Sequence, residues 1–569
     1  MKTTCLILLT FLVHFYAISQ NRYDVVIDEI MADPAPQVGL PDNEWIELKN
    51  ITTLPINLQD WHIGDAAGQS GAFPDFILQP DSFVIVCTNS ALTAMSVFGA
   101  AISVTSFPSL DNNGDQLFLR DANGNIIHAV SYSSTWYQNV LKKDGGWTLE
   151  MIDTKSPCAG ISNWKASINP QGGTPGTKNS VDVINSDQTP PKLKNVYTID
   201  SVTIVAVFDE PLDSLEGARA GNYSIDGGLS ISGATTLAPL FNSVQLKLNN
   251  PLLANTVYTL TVINVIDCSS NKIGSSNNAK LGLPVEASAS GIVINEILFN
   301  PKAGGYDYVE FYNNSNKIFD ASKLFAANRN TGGDISSIER IFSIPYYIFP
   351  GDYFVITENV ASLEMNYLVK NPDAAFELSS LPSYPDDEGD VILLNGQGNV
   401  VDEVKYSKDW QFKLIDNAEG ISLERIDPAG RSQDKTNWHS AASTAGYGTP
   451  TYKNSQYRQT QIINATIDIT PKIFSPDNDG HDDVTTIQYK ITEPGYVANI
   501  TIFDSQGRPV RYLVKNGTLG LNGLWNWDGL DEKGNKLAIE TYIIYTEIFN
   551  LQGKKQHFKN TVVLARKLN

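Results

Sequence analysis

At 569 residues the chain is long enough for several domains, each with its own core. Its 41 Lys and Arg stand against 62 Asp and Glu, a formal charge of −21 that repels phosphate backbones and anionic headgroups, so nucleic acid is not expected as a partner. Tyr, Phe, Val, Ile and Thr are plentiful and Gly- and Asn-bearing turns recur at short intervals, so the expected fold class is all-β.

The first twenty residues carry Lys2, an apolar run over residues 6–17, and Ala17-Ile18-Ser19, with small residues where a signal peptidase cuts. Residues 1–19 are therefore expected to be an export signal. The run is short for a membrane span and no later stretch approaches ~20 apolar residues, so the mature chain is expected to lack a transmembrane span. Cys5 precedes the apolar run, the wrong side for a lipoprotein cysteine. That leaves Cys87, Cys158 and Cys268, an odd number in an exported chain. A Cys87–Cys158 bridge is one arrangement open to them, and no disulfide framework is expected to hold the fold.

Residues 20–182 read as successive strands. Val25-Val26-Ile27-Asp28-Glu29-Ile30 opens the series. In the next strand Glu44, Ile46 and Leu48 alternate with Trp45, Glu47 and Lys49, giving one mainly apolar face and one with charge beside an aromatic. Pro80-Asp81-Ser82 is a turn before the buried strand Phe83-Val84-Ile85-Val86. Leu117-Phe118-Leu119 and Val130-Ser131-Tyr132 form a hairpin around Asp121-Ala122-Asn123-Gly124-Asn125, where Gly124 can take the positive φ of the reversal. Trp147, Leu149 and Met151 alternate on a closing strand. An irregular tail through Asn163-Trp164 and Gly173-Thr174-Pro175 is expected to pack back over the sandwich.

Residues 188–285 follow the stiff Thr189-Pro190-Pro191 linker. They carry the strand Val202-Thr203-Ile204-Val205-Ala206-Val207-Phe208, ending in Asp209-Glu210-Pro211-Leu212, and later Tyr258-Thr259-Leu260-Thr261-Val262. Residues 288–456 then retrace the first block. Ile292-Val293-Ile294-Asn295-Glu296-Ile297 and Tyr308-Val309-Glu310-Phe311 return at a near-constant offset, as do the hairpin around Gly396 and Gly398, Leu423-Glu424-Arg425, Asn437-Trp438 and Gly448-Thr449-Pro450. One domain is used twice. Residues 461–569 contain Phe474-Ser475-Pro476-Asp477-Asn478-Asp479-Gly480 and Trp525-Asn526-Trp527-Asp528-Gly529.

The shared order of the opening Ile-Asp/Asn-Glu-Ile, the Trp/Tyr-Ile/Val-Glu strand, the hairpin, Asn-Trp and Gly-Thr-Pro resembles the lamin tail domain family, in both copies. The block between them resembles a bacterial immunoglobulin-like spacer. The last block resembles the immunoglobulin-like domain of flagellar hook-capping and gliding-type surface proteins, some of which are cleaved type IX sorting signals, but departs from it at Glu540-Thr541-Tyr542, where a glycine usually precedes the tyrosine. These resemblances imply a tandem array of immunoglobulin-like β-sandwich domains. They further imply a structural, adhesive or scaffolding protein, secreted, at the cell surface or associated with an outer membrane, facing matrix or glycan components.

No His-Glu-x-x-His, Gly-x-Ser-x-Gly or phosphate-cradling glycine loop is present, and His62, His128, His439, His481 and His557 are isolated from one another, so no enzyme is expected. Glu29 with Glu47, and Glu296 with Glu310, are the best case for paired catalytic carboxylates. The plainer reading is that each meets a local backbone N–H or basic group at the sandwich edge. No cofactor is required, although Asp477, Asp479 and Asp483 cluster around Gly480 in a way that suits a structural calcium ion. An EF-hand is excluded, because position 12 of such a loop falls on Thr486. The alternative is an Asx-rich turn that orders its own backbone. Trp45 and Tyr308 are the candidate ligand-binding aromatics, able to stack on sugar rings if exposed, against a plainer role in packing.

Overall fold

A computed structural model describes residues 20–413, 415, 417–457, 465–492, 495–551 and 553–566. The expected export signal, with Cys5, lies outside the described residues. The chain is all-β, a series of immunoglobulin-like sandwiches, and divides into two compact units. One is built on residues up to Val285 with Lys317–Ala321 and Ile344–Phe349, the other on Glu286–Asn316, Ser322–Ser343 and Pro350 onward.

In the first unit, the six-stranded sheet runs Trp164–Ala166, Leu149–Met151, Val25–Met31, Trp45–Asn50, Phe83–Thr88, Ala101–Val104. It faces a three-stranded sheet of His62–Gly64, Gly114–Arg120 and Ile126–Ser133 across a core that includes Ile27, Ile46, Leu48, Trp61, Leu117 and Trp164. The last two strands of the small sheet are the expected hairpin, and Gly124 takes φ +84° at its turn. Val25–Met31 and Trp45–Asn50 pair antiparallel with a bulge between Ile27 and Glu29, which leaves Asp28 as the unpaired extra residue. Every residue of both strands is buried. The alternation in Trp45–Asn50 does mark two faces, but neither faces water. Phe83–Thr88 and Ala101–Val104 are parallel, so the chain must cross over, and it does so through a short helix, Leu92–Met95. Met95 and Ala91 of that crossover pack with Trp45, Met31 and Cys87 in a second apolar cluster.

The block that follows pairs a four-stranded sheet (Leu193–Asp200, Thr203–Phe208, Ser243–Leu248, Ile231–Thr236) with a three-stranded one (Tyr223–Ile225, Tyr258–Val262, Asn278–Leu281). Arg22, just before the first strand, donates to the carbonyls of Leu212 and Leu240 at 2.8 and 3.3 Å and lies between the rings of Tyr23 and Phe241. Cys158 is bridged to Cys268, with Cα atoms 6.1 Å apart. Cys87 is free and buried under the crossover helix, so a Cys87–Cys158 bridge does not form.

In the second unit the repeat returns strand for strand. The order Trp438–Ser440, Leu423–Arg425, Ile292–Leu298, Tyr308–Asn313, Tyr353–Thr357, Ala375–Glu377 matches the first sheet, with the same bulge, now between Ile294 and Glu296, and the same parallel outer pair. The crossover helix is longer, Val360–Asn366, and begins at Asn359, whose side chain accepts the Ser362 N–H. The C-terminal block packs a three-stranded sheet and a five-stranded sheet around Trp527, whose ring lies 5.3 Å from Phe474 and 5.2 Å from Tyr542.

Candidate functional site: two buried carboxylate rows

Glu29 lies directly across from Glu47 on one side and from Glu150 on the other, so three neighbouring strands place three glutamates in a line on one sheet face. In the second repeat Glu296 stands between Glu310 and Glu424 in the same register. All six are fully buried. Directly opposed like charges destabilise a sheet, and a buried charge without partners costs more, so each row must be satisfied by donors or protons.

Most of the donors come from the irregular tails. Thr174 N–H and the Thr148 hydroxyl donate to Glu29 at 2.8 and 2.6 Å, and the Thr174 hydroxyl reaches Glu150 at 2.9 Å. Gly176 N–H donates to Glu47 at 2.5 Å. The Ser180 hydroxyl and Val181 N–H complete Glu150. In the second repeat Thr449 N–H and hydroxyl donate to Glu296 at 2.9 and 2.7 Å, that hydroxyl lies 2.9 Å from Glu424, Thr451 N–H reaches Glu310, and Ser455 and Gln456 complete Glu424. The Ser422 and Tyr308 hydroxyls also donate to Glu296. The glycine of each Gly-Thr-Pro is needed for this close approach: a Cβ on Gly173 would lie 2.8 Å from Glu29 Oε1, and one on Gly448 2.5 Å from the Tyr308 hydroxyl.

Asn179 and Asn454 bind each tail further, each donating to two backbone carbonyls of the sheet, those of Asp28 and Met151 and those of Asn295 and Arg425. These asparagines, the serines after them, and Glu150 with Glu424 escape a search for paired acids. The signal that marks them is Lys-Asn-Ser, which recurs at 178–180 and 453–455.

Burial pushes Glu29, Glu47 and Glu310 well above the ordinary carboxylate range, with the neighbouring glutamates adding to it, and raises Glu296 and Asp28 to about 7 each. The glutamates pair with backbone N–H groups, but at the centre of the sheet rather than at its edge. Enclosed and hydrogen-bonded within the domain, the rows fasten the tail to the sheet. They do not present two carboxyls to either side of a substrate bond.

Trp45 and Tyr308 occupy equivalent places and both are fully buried, Trp45 beneath the first crossover helix and Tyr308 edge-on to Tyr367, 5.4 Å away, beside the second. Neither ring offers a face to a sugar, because the sheet surface that alternation left open is covered by the helix and the tail. Asp477, Asp479 and Asp483 do bring carboxylate oxygens within 4.8 Å of one another. Those oxygens accept the N–H groups of Asn478, Asp479, Gly480 and His481, the bonds of a self-ordered turn. Asp187, Glu210 and Asp267 form a second such group, unforeseen because its members are far apart in sequence. There burial, with Asp267 and Asp187, pushes Glu210 up to about 8. Oxygen ligands of this kind suit hard cations, and among the described residues these two groups are the ones that could hold a metal ion.

Fold and site together define an array of immunoglobulin-like sandwiches in which a sandwich with a carboxylate-latched tail is used twice. Residues 18–134 match the family model described as Lamin Tail Domain. No curated protein matches the chain. Among solved structures, the chain is similar to the N-terminal part of the bacterial S-layer protein SbsC, at 14% identity and TM-score 0.16, covering 38% of this chain and 44% of that one. It is also similar to a DUF4876 family protein from Bacteroides thetaiotaomicron VPI-5482, at 14% identity and TM-score 0.18, covering 42% of this chain and 92% of that one. A third is a tetra-tandem repeat from the extending region of a large adhesion protein, at 12% identity and TM-score 0.13, covering 95% and 99%.

Proposed function

We propose that this is an exported, non-catalytic structural protein of the cell surface. In this reading two lamin-tail-like sandwiches (20–182 and 288–456) are joined by an immunoglobulin-like spacer (188–285) and followed by an immunoglobulin-like C-terminal module (461–569), which together project, adhere or scaffold. The observation that carries it is the fate of the acid rows. The side chains best suited to catalysis are consumed, in both repeats, by bonds to the domain's own tail. Their recurrence therefore follows from folding the same sandwich twice. The Cys158–Cys268 bridge supports an oxidising destination, since such bridges persist outside the reducing cytosol.

The test is protease treatment of intact cells, followed by fractionation and intact-mass measurement of the mature chain. Loss of the protein from unbroken cells, with a mature mass that lacks residues 1–19, supports the reading. A full-length chain protected inside the cytosol overturns it, as does polysaccharide hydrolysis by the purified chain that disappears in Glu47→Gln.

A further inference from the structure

Asp28 and Asn295 are the same position in the two repeats, the extra residue of the bulge, and each is 2% exposed. Asn295 uses its amide as a donor: Nδ2 lies 2.7 Å from Glu310 Oε1 and 2.6 Å from Asn454 Oδ1. An ionised Asp28 has no hydrogen to give. Its Oδ1 and the Oε2 of the equivalent glutamate, Glu47, are both buried without a hydrogen-bond partner. Two acceptor oxygens enclosed at a place where the sister repeat holds a donor and an acceptor lack one hydrogen.

We infer that Asp28 and Glu47 share one proton between these two oxygens, reproducing with a pair of carboxyls the bond that Asn295 makes with an amide, so that the first repeat carries a pH-sensitive version of the tail latch. The charges around it leave room for this proton. On the neighbouring strand Lys49 is the one cation facing Asp28, and its Nζ lies 3.4 Å from Asp81. Asp182 of the tail, Asp81 of the turn before Phe83, and Glu150 of the closing strand all act against ionisation of Asp28. Glu29 and Glu47 complete the acidic surroundings. On the hairpin, His128 is held neutral by burial and adds no positive charge.

Asp28 is raised to about 7, mainly by burial. A carboxyl whose folded value is raised keeps its proton when folded and loses it when released. Its stabilisation is complete below the ordinary carboxylate range and is lost as pH rises to and through about 7. His128 contributes the opposite slope, so the informative quantity is the difference between the wild-type chain and a variant.

The experiment is amide exchange of tail residues 173–181 in the full chain, from about pH 5 to about pH 8, corrected for intrinsic rate. Relative to Asp28→Asn, opening of the wild-type tail should increase by up to about tenfold per pH unit between the ordinary carboxylate range and neutrality, then level off. The reciprocal Asn295→Asp should confer the same dependence on tail residues 448–456, which covers the case in which the first variant does not fold. A wild-type to Asp28→Asn ratio that stays flat with pH overturns the inference. So does an Asn295→Asp chain whose second tail gains no pH dependence.

Discussion

His128 Nδ1 accepts the Ile27 N–H at 2.8 Å, and Asp402 Oδ2 accepts the equivalent Ile294 N–H at 2.8 Å. The two acceptors stand opposite Leu119 and Leu393 in matching hairpins. Burial pushes His128 down to about 3, so it is a neutral acceptor and needs no counter-charge. Asp402 has one: Arg425, almost fully buried, lies 3.2 Å away and also donates to the Ile294 and Gly430 carbonyls, where the first repeat has Met151. One backbone hydrogen is thus satisfied by a neutral pair in one repeat and by an ion pair in the other.

Exchange of that pair should be strongly non-additive. Arg425→Met alone strands a buried carboxylate and is expected to destabilise the second repeat by about 3–5 kcal/mol. Adding Asp402→His should recover most of that loss by installing the solution of the first repeat. Urea unfolding followed through exchange of the Ile292–Leu298 strand measures both. Equal losses in the single and double variants would count against the equivalence.

The threonine of each Gly-Thr-Pro is the next target. Thr449→Val removes a hydroxyl 2.7 Å from Glu296 and 2.9 Å from Glu424, and should cost about 1–3 kcal/mol, with Thr449→Ser restoring most of it. Thr174→Val should cost less. Its hydroxyl makes the same 2.9 Å bond to the outer glutamate, Glu150, but lies 3.4 Å from Glu29, where the Thr449 hydroxyl lies 2.7 Å from Glu296. Chemical denaturation of each variant ranks the two losses, and the reverse order would contradict this account of the latch.

Stability of the second repeat should fall as pH rises. Burial, with Glu424 beside it, lifts Glu296 to about 7, so the folded form holds a proton that the unfolded form releases. Between the ordinary glutamate range and about 7 the folded state binds more protons, and the unfolding free energy declines with pH. The denaturation midpoint should be higher in mildly acidic than in mildly alkaline buffer, and Glu296→Gln should flatten that slope. A midpoint that climbs toward alkaline pH, unchanged by the substitution, would reverse the assignment.

Trp45 gives a test of core against surface. Trp45→Ala should cost about 3–5 kcal/mol by opening a cavity under the crossover helix. Trp45→Tyr, the residue of the second repeat, should be tolerated far better, and its hydroxyl has Glu29 as the counterpart of the Tyr308 partner. Thermal melts measure both. A folded, equally stable Trp45→Ala that loses glycan binding would restore the surface role.

Much of this was legible in the sequence because it is written twice. The strand order, the hairpin and the Glu and Gly-Thr-Pro elements recur, and recurrence separated them from chance. What stayed hidden depends on what covers a strand. Alternation around Trp45 gives two faces, but nothing local says that a helix and a tail lie over the second. Glu150 joins Glu29 through the pairing of the closing strand with Val25–Met31, and Glu29 faces Glu47 because the bulge at Asp28 sets that register; a single extra residue in a strand leaves no periodic trace. Asp28 and Asn295 differ by one atom type in the sequence. Their difference acquired meaning only once the partners of Asn295 were visible.

The covalent tie from Cys158 to Cys268 spans 110 residues and encloses the Thr189-Pro190-Pro191 connector, next to which Val183 and Ile184 stand well out in solvent. A peptidase that reached that stretch would find apolar side chains in the open. Severing it would produce two polypeptides that still migrate as a single particle, and they would part only in a reducing environment.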